Sequence, residues 1–164
     1  MDERLDGDWL RGWCERTAAA VAGLTESFEV RHGFPPGDNV IAPATDESHR
    51  ATGALVALTP IPADLATVYR VIDEVSLPDV ANGCFVHPAS LVAEHVRAYG
   101  PVAIPDEGPA TVFASDGGGR LFAVTGSGRV WMSTAASWSD RFDLAAAGLR
   151  EFFEGISRQV TDQL

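Results

Sequence analysis

Apolar residues recur at steps of three and four in four stretches of the chain, and this spacing predicts four helices. The first starts at Asp8, an aspartate that can cap a helix N-terminus, and the second and third start near Pro62 and Pro88. The last lies close to the end of the sequence. Their apolar faces carry Trp9, Leu10, Trp13, Thr17, Ala20, Val21 and Leu24; Leu65, Val68, Tyr69 and Ile72; Leu91, Val92, His95, Val96 and Tyr99; and Leu149, Phe152, Phe153, Ile156 and Val160.

Short apolar or alternating runs between turn-forming residues predict the strands. Three of them, separated by two glycine-rich turns, predict an antiparallel meander, which is the clearest β signal in the chain. Residues 32–39 and 41–50 read as loops, the second of them charged and exposed. The predicted strands are Ser27–Val30, Gly53–Thr59, Cys84–Val86, Thr111–Ala114, Arg120–Thr125, Arg129–Ser133 and Arg141–Leu144.

The charge of the chain is strongly negative and narrows the function classes. Twelve basic residues oppose 23 acidic ones for a net charge of −11, and all twelve are arginine. Without lysine, Schiff-base chemistry and a P-loop are excluded. Affinity for nucleic acids comes largely from basic residues that displace phosphate counterions, so the composition argues against direct DNA or RNA binding.

Cysteine usage and hydropathy predict a cytoplasmic protein that does not enter membranes. Cys14 and Cys84 are far apart and outside any CxxC motif, which favours reduced thiols over a disulfide framework. The N-terminus opens with acidic residues, whereas a secretory signal needs basic residues before an apolar run. No apolar stretch approaches the roughly 18 residues typical of a membrane span. At 164 residues the chain has the length of a single domain, 1–164.

Candidate chemical motifs are weak, and no metal or cofactor is expected. The glycines at 117–119, 126 and 128 stand between strands, so they are interpreted as hairpin turns, and Asp116 as a residue bonded to the N–H groups ahead of it. His87 and His95 are eight residues apart, which on a helix separates them by about 80° and two turns, so a shared zinc ion is not expected. GxSxG and HExxH motifs are absent, although a catalytic site built from dispersed residues stays open.

The order of several segments resembles the SMI1/KNR4 family, also called the SUKH superfamily. The segments are IPADLATVYRVIDEV, SLPDVANGCFVH with Asn82 and Gly83, VFASDGGGRLFAV, GRVWMS and GLREFFEGI. The similarity covers residues 60–160, and residues 1–59 form a divergent helix and loop region. The resemblance implies an α+β fold with a mainly antiparallel sheet of about six strands and helices packed against it.

Bacterial members of that family are regarded as immunity proteins that neutralise toxins, many of them nucleases. The resemblance therefore implies a non-enzymatic domain that occludes the active site of a basic toxin. Negative charge suits this task, because opposite charges speed encounter and favour the right partner. The predicted contact residues are the loop acids Asp46, Glu47, Asp106, Glu107 and Asp116, with Trp138 as an aromatic anchor. A housekeeping regulatory or interaction module, and a small-ligand binder or enzyme, remain the alternatives.

Overall fold

The computed structural model describes residues 4–138 and 141–164 and has an α+β architecture, which confirms the predicted class. The first residues of the acidic N-terminus, 1–3, lie outside the described part. The helices are α1 (Gly7–His32), α2 (Asp46–Leu58), α3 (Ala63–Val71), α4 (Ala89–Tyr99) and α5 (Leu149–Asp162). The strands are β1 (Val40–Pro43), β2 (Ile72–Leu77), β3 (Cys84–Val86), β4 (Val102–Ile104), β5 (Gly108–Asp116), β6 (Leu121–Thr125), β7 (Val130–Ser133) and β8 (Phe142–Ala146).

The strands form one antiparallel sheet in the order β1-β2-β3-β5-β6-β7-β8, and β4 also pairs with β5. The nine-residue β5 pairs with β3 through its last residues and with β4 through its first. Between those two short strands the chain leaves the sheet to form α4. The described sheet has eight strands, where the resemblance implied about six. The pattern analysis predicted none of β1, β2 and β4, because β1 and β4 have only four and three residues and β2 follows α3 without a turn.

The two faces of the sheet are covered differently. Phe113, Val124 and Val130 belong to the large core that the helices complete. Their chain neighbours Val112, Ala123 and Trp131 point the other way, because side chains alternate along a strand, and they form a second, smaller cluster that Trp138 joins. The large core takes residues from the N-terminal helix as well as from the segment 60–160.

The first helix is longer than predicted, and the strand expected at Ser27–Val30 is wrong. The apolar spacing continues through Phe28, so the segment stays helical until Gly33, whose positive φ of 79° ends α1. The N-cap is Asp6 rather than Asp8, since the Asp6 carboxylate accepts a hydrogen bond from the Asp8 N–H.

The segment before Pro60 is also a helix, so the charged loop at 41–50 and the buried strand at Gly53–Thr59 are both wrong. Thr45 and Ser48 form a reciprocal capping box that starts α2. Only Ser48 and Leu55 of α2 are buried, which leaves its sequence with little helical periodicity to detect. The second predicted helix, α3, ends at Val71. Ile72, which the spacing placed on that helix, is instead the first residue of β2.

The third and fourth predicted helices, Cys84–Val86 and the late meander are confirmed to within a few residues at each end. The final strand is also confirmed, shifted to Phe142–Ala146. Within the described residues, no helix is long and apolar enough to cross a membrane.

Candidate functional site

Asp46 and Glu47 lie fully exposed in the first turn of α2. The strand pairing of β1 with β2, and a hydrogen bond of 3.0 Å from the Ala44 N–H to the Val71 carbonyl, bring the start of β2 beside the segment that leads into α2. Asp73 and Glu74 are therefore backbone neighbours of this segment, with side chains that point to opposite faces of β2, and we call the four residues Asp46, Glu47, Asp73 and Glu74 the acidic corner. Within the described chain none of the four makes an ion pair or a side-chain hydrogen bond.

The sequence analysis did not single out Asp73 and Glu74, because it predicted neither β2 nor the pairing of β2 with β1. The acidic corner also has arginines nearby. Arg50 lies on α2, and the carbonyl of Arg70 meets the His49 ring at 3.1 Å. Neither arginine side chain pairs with the four carboxylates.

Asp106 and Glu107 form the turn from β4 to β5, but only Asp106 is free to meet a partner. Asp106 is exposed and has a φ of 66°, a left-handed conformation that aspartate tolerates better than most residues. The Glu107 carboxylate pairs with Arg129 and accepts a hydrogen bond of 3.0 Å from the Ser127 hydroxyl. The Arg129 guanidinium is the main cause that lowers the pKa of Glu107. Glu107 thus connects the β4–β5 turn to the β6–β7 turn.

Asp116 performs the turn role that the sequence suggests. Its carboxylate accepts hydrogen bonds of 2.9 Å from the N–H groups of both Gly118 and Arg120. The Gly117 N–H in turn donates to the Asn82 carbonyl at 2.7 Å, and a Cβ at residue 117 would lie 2.0 Å from that oxygen. The β5–β6 turn is therefore locked against the β2–β3 turn.

The predicted acids do not converge on one patch. Asp106 and Glu107 precede β5 and Asp116 ends it, and the eight steps from Gly108 to Asp116 span about 26 Å at ~3.3 Å per residue. The acidic corner lies at a third position, beside the edge strand β1. A partner that contacts all five acids would have to cover most of one side of the domain.

Trp138, the predicted aromatic anchor, lies in the β7–β8 connection and packs on side chains of α4. Its ring stacks on Tyr99 with centroids 4.8 Å apart and an interplanar angle of 23°, and it meets His95 edge-on at 5.3 Å. His95 meets His87 edge-on at 5.7 Å. These four residues, His87, His95, Tyr99 and Trp138, are the histidine–aromatic cluster. The sequence singled out Trp138, whereas Tyr99 was taken only as part of a helix face.

The two histidines meet because His87 is not on the helix. α4 starts at Ala89, so the separation expected for two residues of one helix does not apply. His87 continues from β3, where its N–H donates to the Phe113 carbonyl at 2.8 Å and its carbonyl accepts from the Tyr69 hydroxyl at 2.7 Å. Its Nε2 lies 2.8 Å from the Ser115 hydroxyl. His95 and Tyr99 then fall four residues apart on one side of α4.

Burial and, to a smaller extent, the neighbouring His95 together lower the pKa of His87 from 6.5 to about 4. The side chain is only 8 % exposed, so His87 is neutral at pH 7. Among the described residues, the Nδ1 atoms of His87 and of His95 are both buried without a hydrogen-bond partner. In the described part of the chain, no group of three or more His, Cys, Asp or Glu residues could hold a metal ion.

A cleft of about 540 Å³ lies between the starts of α3 and α5 and the β6–β7 turn. Three of its charged groups are engaged with the protein: Glu151 accepts a hydrogen bond of 2.6 Å from the Ala147 N–H, and Glu154 pairs with Arg150 at 3.4 Å. The other two, Arg4 and Asp64, make no ion pair or side-chain hydrogen bond among the described residues. Burial also raises the pKa of the free thiols, to about 11 for Cys14 and about 12 for Cys84, which keeps both protonated and poorly nucleophilic.

No family model matches the sequence, and no curated protein matches it. The resemblance to the SMI1/KNR4 family therefore stays a prediction from the order of its sequence segments.

Proposed function

We propose that this domain is a non-enzymatic immunity protein that neutralises a cognate toxin with a basic active site, such as a nuclease, by covering it. The observation that supports this most is the excess of unpaired carboxylates on the surface. Within the described residues these carboxylates make no ion pair or side-chain hydrogen bond. They outnumber the arginines whose side chains make no ion pair or hydrogen bond there. The carboxylates are Glu15, Glu26, Glu29, Asp38, Asp46, Glu47, Asp64, Asp73, Glu74, Glu94, Asp106 and Asp162, and the arginines are Arg4, Arg16, Arg50, Arg70, Arg97, Arg120 and Arg158.

A nuclease active site must hold phosphates and therefore carries positive charge. An acidic surface is drawn to it over long range, which raises the rate of association, and it repels proteins of like charge. Such a partner needs no pocket on this domain. Inhibition by coverage uses surface charge and shape.

The acidic corner is the contact region that this function favours. Asp46 and Glu47 are exposed and, among the described residues, unpaired, and the capping box between Thr45 and Ser48 orders the backbone that carries them. Ordering such side chains on binding costs less entropy than ordering a flexible loop.

On this proposal a cognate toxin should be encoded immediately upstream of this chain, and the test uses the basic nuclease domain of that toxin. Co-expression should abolish its toxicity, and the purified proteins should bind with an association rate that falls as salt increases. The double variant Asp46→Asn/Glu47→Gln should lower that rate several-fold. A matched control is Asp8→Asn/Asp143→Asn, which removes two exposed carboxylates already paired with Arg11 and Arg141 and should change the rate less. Absence of binding at low ionic strength would overturn the proposal.

A further inference from the structure

Tyr99 is unusually accessible for a large aromatic residue at the end of a helix. Its side chain is 63 % exposed, although one ring face lies against Trp138 at 4.8 Å. On its protein side, the Trp138 ring contacts His95 edge-on, and the His95 ring contacts His87 in the same way. The stack is thus supported from within the protein and presents an aromatic surface to solvent.

The position of this stack favours a cation. Tyr99 is the last residue of α4, and the free carbonyl groups of a last helical turn carry partial negative charge. Arg97 is the basic residue of that turn, but two residues on a helix correspond to about 200°, which puts it on the opposite side from Tyr99. Aromatic faces attract cations through their quadrupole. The carbonyl end of α4 and the face of the Tyr99 ring therefore both favour a positively charged group.

We propose that Tyr99 and Trp138 form the recognition site for an arginine side chain of the basic protein partner. The inference rests on the proposed function for the identity of that partner. Arginine fits better than lysine, because its planar, weakly hydrated guanidinium stacks on an aromatic face. Tyr, Trp and Arg are also the residues that most often dominate the energy of protein interfaces. The net charge of −11 brings such a partner to the surface.

A first experiment tests arginine recognition without the toxin. The probe is the peptide Gly-Arg-Gly-Arg-Gly, blocked at both ends, and its control is the same peptide with citrulline in place of arginine. NMR titration of this domain should shift the Trp138 indole and Tyr99 ring signals with the arginine peptide and leave them unchanged with the citrulline peptide. Equal shifts with both peptides, or arginine-dependent shifts confined to the acidic corner, would overturn the proposal.

A second experiment measures binding of the basic nuclease domain to two variants of one exposed residue. Tyr99→Phe keeps the aromatic face and should bind within about two-fold of the unmodified domain. Tyr99→Leu keeps apolar area without the quadrupole and should bind at least about ten-fold more weakly, mostly through faster dissociation. Phe34→Leu makes the same kind of exchange at another exposed ring, just after α1, and should bind like the unmodified domain. Equal binding of the Phe and Leu variants would overturn the inference. Failure of the unmodified domain to bind would instead overturn the proposed function, and the peptide titration would still decide on the arginine site.

Discussion

Two aromatic clusters in this molecule are built in opposite ways. In the core, Trp13 meets Phe153 edge-on at 4.8 Å, and Phe152 contacts both Phe153 and Phe113 in the same manner. The Trp13 indole also donates a hydrogen bond of 2.7 Å to the Phe153 carbonyl. The histidine–aromatic cluster instead has an open side at Tyr99 and two imidazole nitrogens without partners.

The difference separates residues that hold the fold from residues that are available for contact. Each buried polar atom without a partner costs about 1–3 kcal/mol, so the histidine–aromatic cluster gives up stability that the core cluster retains. Placing Tyr99 at the surface gives up further apolar burial. Both costs are understandable if the cluster serves binding.

The largest expected effect is on the core cluster. Phe153→Ala should lower the free energy of unfolding by about 3–5 kcal/mol, because it removes a fully buried ring and leaves a cavity between α1 and α5. Urea denaturation measures this. Phe34→Ala, at a ring that is 57 % exposed, is the control and should cost far less. Similar losses for the two variants would remove the basis for treating the core cluster as structural.

The pH dependence of stability tests the neutral histidine in the second cluster. The folded pKa of His87, about 4, lies below its ordinary value of 6.5, so the unfolded chain binds more protons between these values. The stabilising contribution of neutral His87 is complete above pH 6.5 and is lost as the pH falls towards 4. The loss is at most about 3 kcal/mol over this window.

The matched variant for this measurement is His87→Gln, whose amide can still bond to Ser115 and does not titrate. Carboxylates contribute equally to both proteins, so the difference between their urea midpoints across pH 4–6.5 isolates His87. Parallel pH profiles would show that His87 is not held neutral by burial.

A smaller effect is expected from the one polar atom of the core cluster. Trp13→Phe keeps an aromatic ring but removes the donor to the Phe153 carbonyl, which should cost about 1–3 kcal/mol in urea denaturation. If this variant is as stable as the unmodified protein, hydrogen-bond satisfaction does not distinguish the two clusters.

Sequence patterns predicted the core cluster and only part of the other. Phe152 and Phe153 fall on the strongly amphipathic α5, and Trp13 on α1, whose buried residues recur at steps of three and four, so spacing identifies the buried face of both helices. The histidine–aromatic cluster joins β3, α4 and the β7–β8 connection, so no local spacing brings its members together. The sequence analysis singled out Trp138 as an aromatic anchor and considered His87 and His95 only as zinc ligands, a role that it did not expect.

The missed elements have equally physical causes. α2 is set by a capping box and buries only two of its residues, so periodicity could not find it. The Asp73 and Glu74 positions were unclear because α3 passes into β2 without a turn. The separation of Asp106 from Asp116 follows from the length of β5, which depends on the short partner strand β4.

The most direct test of this account measures stability and binding together on Tyr99→Leu and Tyr99→Phe. The account predicts that both variants unfold within about 0.5 kcal/mol of the unmodified domain, as exposed substitutions usually do, while only Tyr99→Leu loses affinity for the basic nuclease domain. A Tyr99→Leu variant that is destabilised as strongly as Phe153→Ala, or that binds as tightly as Tyr99→Phe, would contradict it.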